Sequence, residues 1–245
     1  MMGHNHAAAG LTVGVLTAPG VGITGPAAVA AWVVAVGGFT LLSDVDTLHS
    51  SAARMWGPLS QLMWRPVALM AGGHRWGTHD AVLAPVCFAA AAWIAGRHEW
   101  TSAALLAVAI GLALRGLSLC GMGRVGAPLN LALSASGSWW LTQHGHGMIG
   151  AMLPAAVALG VITHIAGDAL TACGVPVPIV WIRTRARVGI PLFTTGGVVE
   201  ALAVSPLLAI AFVWLSWKSE VGHHLSTCGV DLLRQLRELA AALPA

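Results

Sequence analysis

Gly73-His74-Arg75-Trp76-Gly77-Thr78-His79-Asp80 is a polar island between two long apolar regions. It gathers two imidazoles, a guanidinium and a carboxylate in a chain of which only 9% of residues are charged. Ionisable groups beside apolar segments are costly unless something binds them. The island therefore raises two questions: what its apolar flanks are, and what its polar groups hold.

The flanks read as membrane helices. Of 245 residues, 57% are hydrophobic, and the mean hydropathy is +0.78. A soluble domain carries more charge and less apolar content. Several apolar stretches approach the roughly 20 residues that cross a bilayer as a helix. The period-2 alternation of a membrane barrel is absent. The sequence thus predicts an all-α, polytopic transmembrane helical bundle of about seven spans. They cover 6–18, 27–43, 80–96, 102–119, 127–142, 147–167 and 199–217. Between the second and third, Met55, Trp56, Leu59, Leu62, Met63 and Val67 recur at helical spacing, with Arg54, Gln61 and Arg65 among them. That pattern predicts an interfacial amphipathic helix, kinked or interrupted at Pro66. From Ser226, Leu232, Leu233, Leu236 and Leu239 share one helical face, so 220–245 reads as an amphipathic surface tail on a membrane domain of 1–219.

Other classes drop out. A formal charge of +3 gives no case for nucleic acid as a partner. Cys87, Cys120, Cys173 and Cys228 form no CxxC pair and read as packing residues. No Lys or Arg precedes the first apolar run, unlike a secretory signal. No His-Glu-x-x-His occurs, which disfavours an intramembrane metalloprotease.

The remaining ionisable groups stand at the ends of apolar segments. His164 and Asp168 are four apart, on one helical face, where they can hold one ion or close a helix end with a His–Asp hydrogen bond. Asp44 and Asp46 flank Val45 at a span end, and two carboxylates so close are poorly explained by capping the following turn alone. His74 and His79 are five apart and converge only if His74 lies in a loop and His79 at a helix start. Gly72, Gly73 and Gly77 permit that path. For His6, Asp44, His79, Asp168 and Glu200 to share one site, an even number of crossings must separate them, which seven spans provide. Trp93, Trp100, Trp139, Trp140, Trp214 and Trp217 then form a belt at the opposite face. Arg54, Arg65, Arg75, Arg124, Arg183, Arg185 and Arg187 fall on the site face, placing it in the cytoplasm by the positive-inside rule. Plain anchoring explains Arg183, Arg185 and Arg187, and attraction of anionic lipid headgroups is the alternative. His4, His98, His144, His146, His223 and His224 read as solvated.

The same motifs carry a resemblance. His6-Ala-Ala-Ala-Gly10, Leu41-Leu42-Ser43-Asp44-Val45-Asp46, His74-Arg75-Trp76-Gly77-Thr78-His79 and His164-Ile-Ala-Gly-Asp168 with Thr171 and Gly174 follow in order, before Gly196-Gly197 and Glu200. In this the chain resembles the YdjM-like family of inner-membrane-associated metal-dependent hydrolases. It departs from the family pattern at Ser43, at Thr47 with His49 two positions on, in the Trp76-Gly77 order and at Asp80. The resemblance implies a multi-pass inner-membrane protein and metal-dependent hydrolysis as a class.

The chemistry of these side chains agrees. Several imidazoles with three carboxylates suit a divalent metal ion such as Zn, Mn or Fe, and suit Ca²⁺ poorly. His6, Asp44, His79, His164 and Asp168 are the expected ligands. Asp46 and Glu200 are candidates for a second metal or for general base work. His74 is a ligand or a proton donor, and Arg75 would orient an anionic substrate such as a phosphoester. A divalent-metal transporter or a metal-stapled structural protein is the alternative. Asp44 and Asp168 carboxylates more than about 10 Å apart would exclude a shared ion.

Overall fold

The computed structural model describes residues 1–121, 123, 125–145 and 147–242. Its hub is α2 (Pro26–Phe39), buried along nearly its whole length from Ala27 to Phe39. Pro26 presets the first helical φ. The Ala, Val and Gly that follow keep the helix slender, so its neighbours approach backbone to backbone. α1 (Gly3–Thr17) lies against it so closely that a Cβ on Gly14 would sit 2.9 Å from Val33 Cα. α7 (Met148–Ala169) packs equally tightly, with a Cβ on Gly160 falling 2.9 Å from Phe39 Cβ. α5 (Glu99–Gly116) meets α2 where Gly38 faces the Ala109 backbone. The Trp32 indole N–H ties α2 to α1, donating to the Gly14 carbonyl and to Thr17 Oγ1, each at 3.1 Å.

An outer layer surrounds this core. α4 (Leu83–Ala95) packs on α7, and α6 (Gly126–His144) on α5. A polar seam fixes α6. Asn130 Nδ2 donates to the Gly111 carbonyl at 3.0 Å, while Trp56 Nε1 donates to Asn130 Oδ1 and Ser134 Oγ at 3.0 and 3.1 Å. α8 is a single turn (Trp181–Thr184). The last membrane-length helix opens as a π turn at Glu200–Val204 and continues as α9 (Ser205–Lys218), which lies on α1.

Helices occupy all seven predicted stretches, but seven complete crossings are not supported. Among the described residues, three helices are long and apolar enough to cross a membrane: Glu99–Gly116, Met148–Ala169 and Glu200–Lys218. α2 and α4 are apolar but have 14 and 13 residues. At 1.5 Å per residue they reach about 20 Å, short of a hydrocarbon core of about 30 Å. α1, with 15 residues, is little longer. α6 has the length, but Asn130, Ser134, Ser136, Ser138, Thr142 and Gln143 dilute its apolar content. The third of these helices has only 6% of its apolar window buried, leaving Leu207, Ile210, Val213 and Trp217 on the outside of the bundle.

α3 (Pro58–Met70) is amphipathic, as its spacing predicts. It exposes Leu59, Leu62 and Met63 and buries Ser60 and Trp64. Two details differ from the sequence reading. The helix runs through Pro66 without interruption, and Met55 and Trp56 precede it, Met55 wholly buried in the bundle. α10 (Glu220–Ala242) begins before Ser226 and buries Val221 and Cys228 toward the bundle. The side chains of Leu236 and Leu239 lie outside the described residues, as do Arg124 and His146.

Candidate metal centre

Four separate segments bring the sequence-predicted ligands to one end of the bundle. His6 stands near the start of α1. Asp44 lies in the short 3₁₀ turn Leu42–Asp46 that follows α2. His79 closes a second such turn, Gly77–His79, just before α4. His164 and Asp168 sit one turn apart near the end of α7. Gly72 and Gly73, with φ of +69° and +110°, let the island fold back so that His74 stays in the loop. Gly77 has no such φ. It matters through close approach, since a Cβ there would lie 3.0 Å from the Ala71 carbonyl oxygen.

The side chains converge. His79 Nε2 is 3.1 Å from His164 Nε2. It is 3.7 Å from Asp44 Oδ1 and 3.6 Å from Asp168 Oδ2. His164 Nε2 is 3.8 Å from Asp44 Oδ1 and 3.7 Å from Asp168 Oδ2. Both carboxylates thus neighbour the same two nitrogens, well inside the limit for a shared ion. The His6 ring stacks on His164 with centroids 3.7 Å apart, and its Nε2 lies 3.3 Å from Asp168 Oδ1. His6, His79, His164 and Asp168 are wholly buried, and Asp44 forms the partly open edge. The amino group of Met1 also contacts Asp168 Oδ1 and reaches Thr195 Oγ1 at 3.3 Å.

This donor set fits a cation. Two overlapping triads, His6–His164–Asp168 and Asp44–His79–His164, each bring their ligand atoms within 4.8 Å of one another. Among the described residues, His6 Nδ1 and Nε2, His164 Nδ1 and Asp168 Oδ2 are buried without a hydrogen-bond partner. Such orphaned groups each cost about 1–3 kcal/mol. A bound ion would satisfy the inward-facing ones.

Asp46 stands one step behind these side chains. It accepts hydrogen bonds from the Arg75 backbone N–H at 3.2 Å and from Thr78 Oγ1 at 2.7 Å, and lies 2.9 Å from His74 Nδ1. Thr78 Oγ1 is also 3.1 Å from His79 Nδ1. The Thr78 hydroxyl has one proton, and the carboxylate can only accept it. The hydroxyl oxygen must therefore accept from His79 Nδ1–H. That fixes the tautomer, leaving His79 Nε2 bare and aimed at the cluster. Burial lowers the His79 pKa, against the pull of Asp44, which keeps the ring neutral. The His74–Asp46 hydrogen bond raises the His74 pKa, outweighing partial burial. Burial would raise the Asp46 pKa, but His74 and Thr78 hold it below its ordinary value.

A family model described as YdjM inner membrane protein matches residues 1–230. The chain belongs to the YdjM family. No curated protein and no solved structure matches it. Of the motifs that carried the resemblance, the fold of this YdjM member brings together those of His6, Asp44, His79 and His164 with Asp168.

Glu200 is placed elsewhere. Its Oε1 accepts from the Met2 backbone N–H at 2.6 Å and Asn5 Nδ2 at 2.8 Å, and its Oε2 from the Gly196 N–H at 2.7 Å. Both oxygens are thereby engaged in mooring the start of α1, one residue before His6. His49 is exposed and apart from the cluster. Thr78, Asn5 and Asp80 are the residues the sequence reading passed over. Thr78 and Asn5 each adjoin a predicted ligand, which was the only signal available. Asp80 Oδ1 caps α4 through the Val82 and Leu83 N–H groups, each at 2.8 Å. Its Oδ2 accepts from the Ile179 N–H at 2.7 Å and Trp181 Nε1 at 2.8 Å. No local pattern announces that second pair.

Proposed function

We propose that this YdjM member is a multi-pass inner-membrane hydrolase that uses a divalent metal ion to cleave a phosphoester or another lipid-linked bond. The observation that carries the reading is the convergence of three imidazoles and two carboxylates in a largely buried cluster, where both His6 nitrogens and Asp168 Oδ2 lack a hydrogen-bond partner. His6, Asp44, His79, His164 and Asp168 would hold the ion. When bound there, a divalent ion supplies Lewis-acid polarisation of a substrate oxygen and brings the pKa of water to about 7.

The chain's own residues supply the rest. Arg75 has φ +62°, a strained backbone for a residue with a Cβ. That conformation turns its guanidinium over the cluster, with Nη2 3.2 Å from Asp168 Oδ2. Its Nη1 is buried without a partner, a donor free for an anionic oxygen of the substrate. His74 is half exposed at the rim, and Asp46 favours its protonated form. In this reading it would hand a proton to a leaving group. Asp46 and Thr78 orient His79 rather than hold a second ion. Transporters usually keep their ligands near the bilayer midplane on broken helices. Here Asp44 and His79 lie in turns at helix ends, which supports the enzyme.

Elemental analysis of detergent-purified protein, together with hydrolysis assays on phosphoester lipids, tests the proposal. Wild type should carry the metal and turn over substrate, and His79→Ala should lose both. Metal without turnover on any phosphoester or other lipid-linked substrate would favour a structural staple. Protein that binds no divalent metal would overturn the reading.

A further inference from the structure

Residues 171–193 form a fixed platform beside the cluster. The strands β1 (Val175–Pro176) and β2 (Arg187–Val188) pair antiparallel. Asp80 holds the loop from the other side through Ile179 and Trp181. The Ile190 and Leu192 N–H groups donate to the end of α7 at 2.7 and 3.0 Å. The loop is thus tethered on every side, yet Ile179, Val180, Ile182, Val188, Ile190 and Leu192 are each between 49% and 63% exposed. A rigid loop that shows six large aliphatic side chains outward is built to meet something apolar.

Charge accompanies them. The Trp76 and Trp181 rings stack at 5.8 Å. The Arg185 guanidinium lies 4.7 Å from the Trp76 centroid, and that of Arg187 lies 4.5 Å from it. Arg185 keeps a left-handed backbone, φ +54°, to stand there. Arg183, Arg185 and Arg187 have no carboxylate within ion-pair distance among the described residues. Cations held over indole faces and flanked by aliphatic side chains match one surface: the boundary where acyl chains meet anionic headgroups.

We propose that residues 171–193 seat in the bilayer and that Arg185 and Arg187, braced on Trp76, bind the phosphate of an anionic glycerophospholipid. The aliphatic side chains enter the acyl region, and the guanidinium pair stays at headgroup depth beside Arg75. This docking surface does not depend on the hydrolytic reading, and it would hold the mouth of the site at the headgroup layer whatever chemistry occurs there.

The test uses full-length protein carrying Cys87→Ala and Cys173→Ala, with a fluorophore on Ile190→Cys, reconstituted in phosphatidylcholine bilayers. Brominated phosphatidylglycerol or brominated phosphatidylcholine is then titrated in as quencher. Each arginine near an anionic surface is worth about a fivefold preference. Phosphatidylglycerol should therefore quench at about fivefold or lower mole fraction than phosphatidylcholine. Arg185→Gln with Arg187→Gln should abolish the preference while both lipids still quench, and the double Lys variant should restore it. A label that neither lipid quenches, as when a second copy of the chain covers the loop, would overturn the seating. Equal quenching by the two lipids in the parent protein, or a preference unchanged in the double Gln variant, would overturn the arginine site.

Discussion

Thr78→Val removes one oxygen and keeps the side chain's shape, so it isolates what the hydroxyl does. Thr78 Oγ1 donates to Asp46 Oδ2 at 2.7 Å and accepts from His79 Nδ1 at 3.1 Å. Asp46 is buried but keeps His74 and the Arg75 N–H, so it is not abandoned. Loss of a hydrogen bond to a charged acceptor costs about 1.5–3 kcal/mol of stability. The larger effect falls on His79. Without an acceptor at Nδ1, the ring is free to place its proton on Nε2, which points at the cluster. Removing such an outer partner typically lowers metal affinity about 10–100-fold. Chelator competition, read by elemental analysis of purified protein, measures that loss. Thr78→Ser should recover most of it, because serine supplies the same oxygen. The tautomer argument fails if Thr78→Val binds metal as tightly as wild type, or if Thr78→Ser is as weak as Thr78→Val.

Glu200→Gln should behave in the opposite way. An amide NH₂ would face the N–H donors of Met2 and Asn5 or of Gly196, costing about 1–3 kcal/mol in thermal unfolding. Its metal content should stay that of wild type, and loss of the metal would show that Glu200 is itself a ligand. His74 gives a pH signature. Its pKa is raised above the ordinary 6.5, so its bond to Asp46 contributes fully below pH 6.5 and fades as pH rises through the raised value. The Tm gap between wild type and His74→Ala should therefore narrow toward alkaline pH, and a gap that widens there would refute the assignment.

The positions of the helices were legible because each apolar run is bounded by Gly, Pro or charge. The clustered His and Asp side chains were legible for a related reason. An ionisable side chain at the end of an apolar run has few uses, and the four-residue spacing of His164 and Asp168 leaves one face for both. The number of complete crossings was not legible. Hydropathy extends the second stretch to residue 43, whereas α2 stops at Phe39 and the chain tightens into the turn that carries Asp44. The partners of Glu200 were not legible, for a different reason. Its partners, Met2 and Asn5, are nearly the whole chain away, so its place at a helix start was all the sequence offered. Asp80 illustrates the same limit, since half of its partners lie about a hundred residues downstream.

The way α1 and α7 share the cluster sets an order of assembly. His79 and His164 stand 85 positions apart, and the Asp168 neighbour of His6 is more distant still. Contacts of such separation form late, because the loop between them must first be closed. During insertion α1 therefore carries His6 beside α2, with no acidic partner on α7 to meet it. The cluster cannot close until the chain has emerged past Asp168. A ribosome stalled before that point would present every earlier helix and no site, so the centre is a late checkpoint on completed folding.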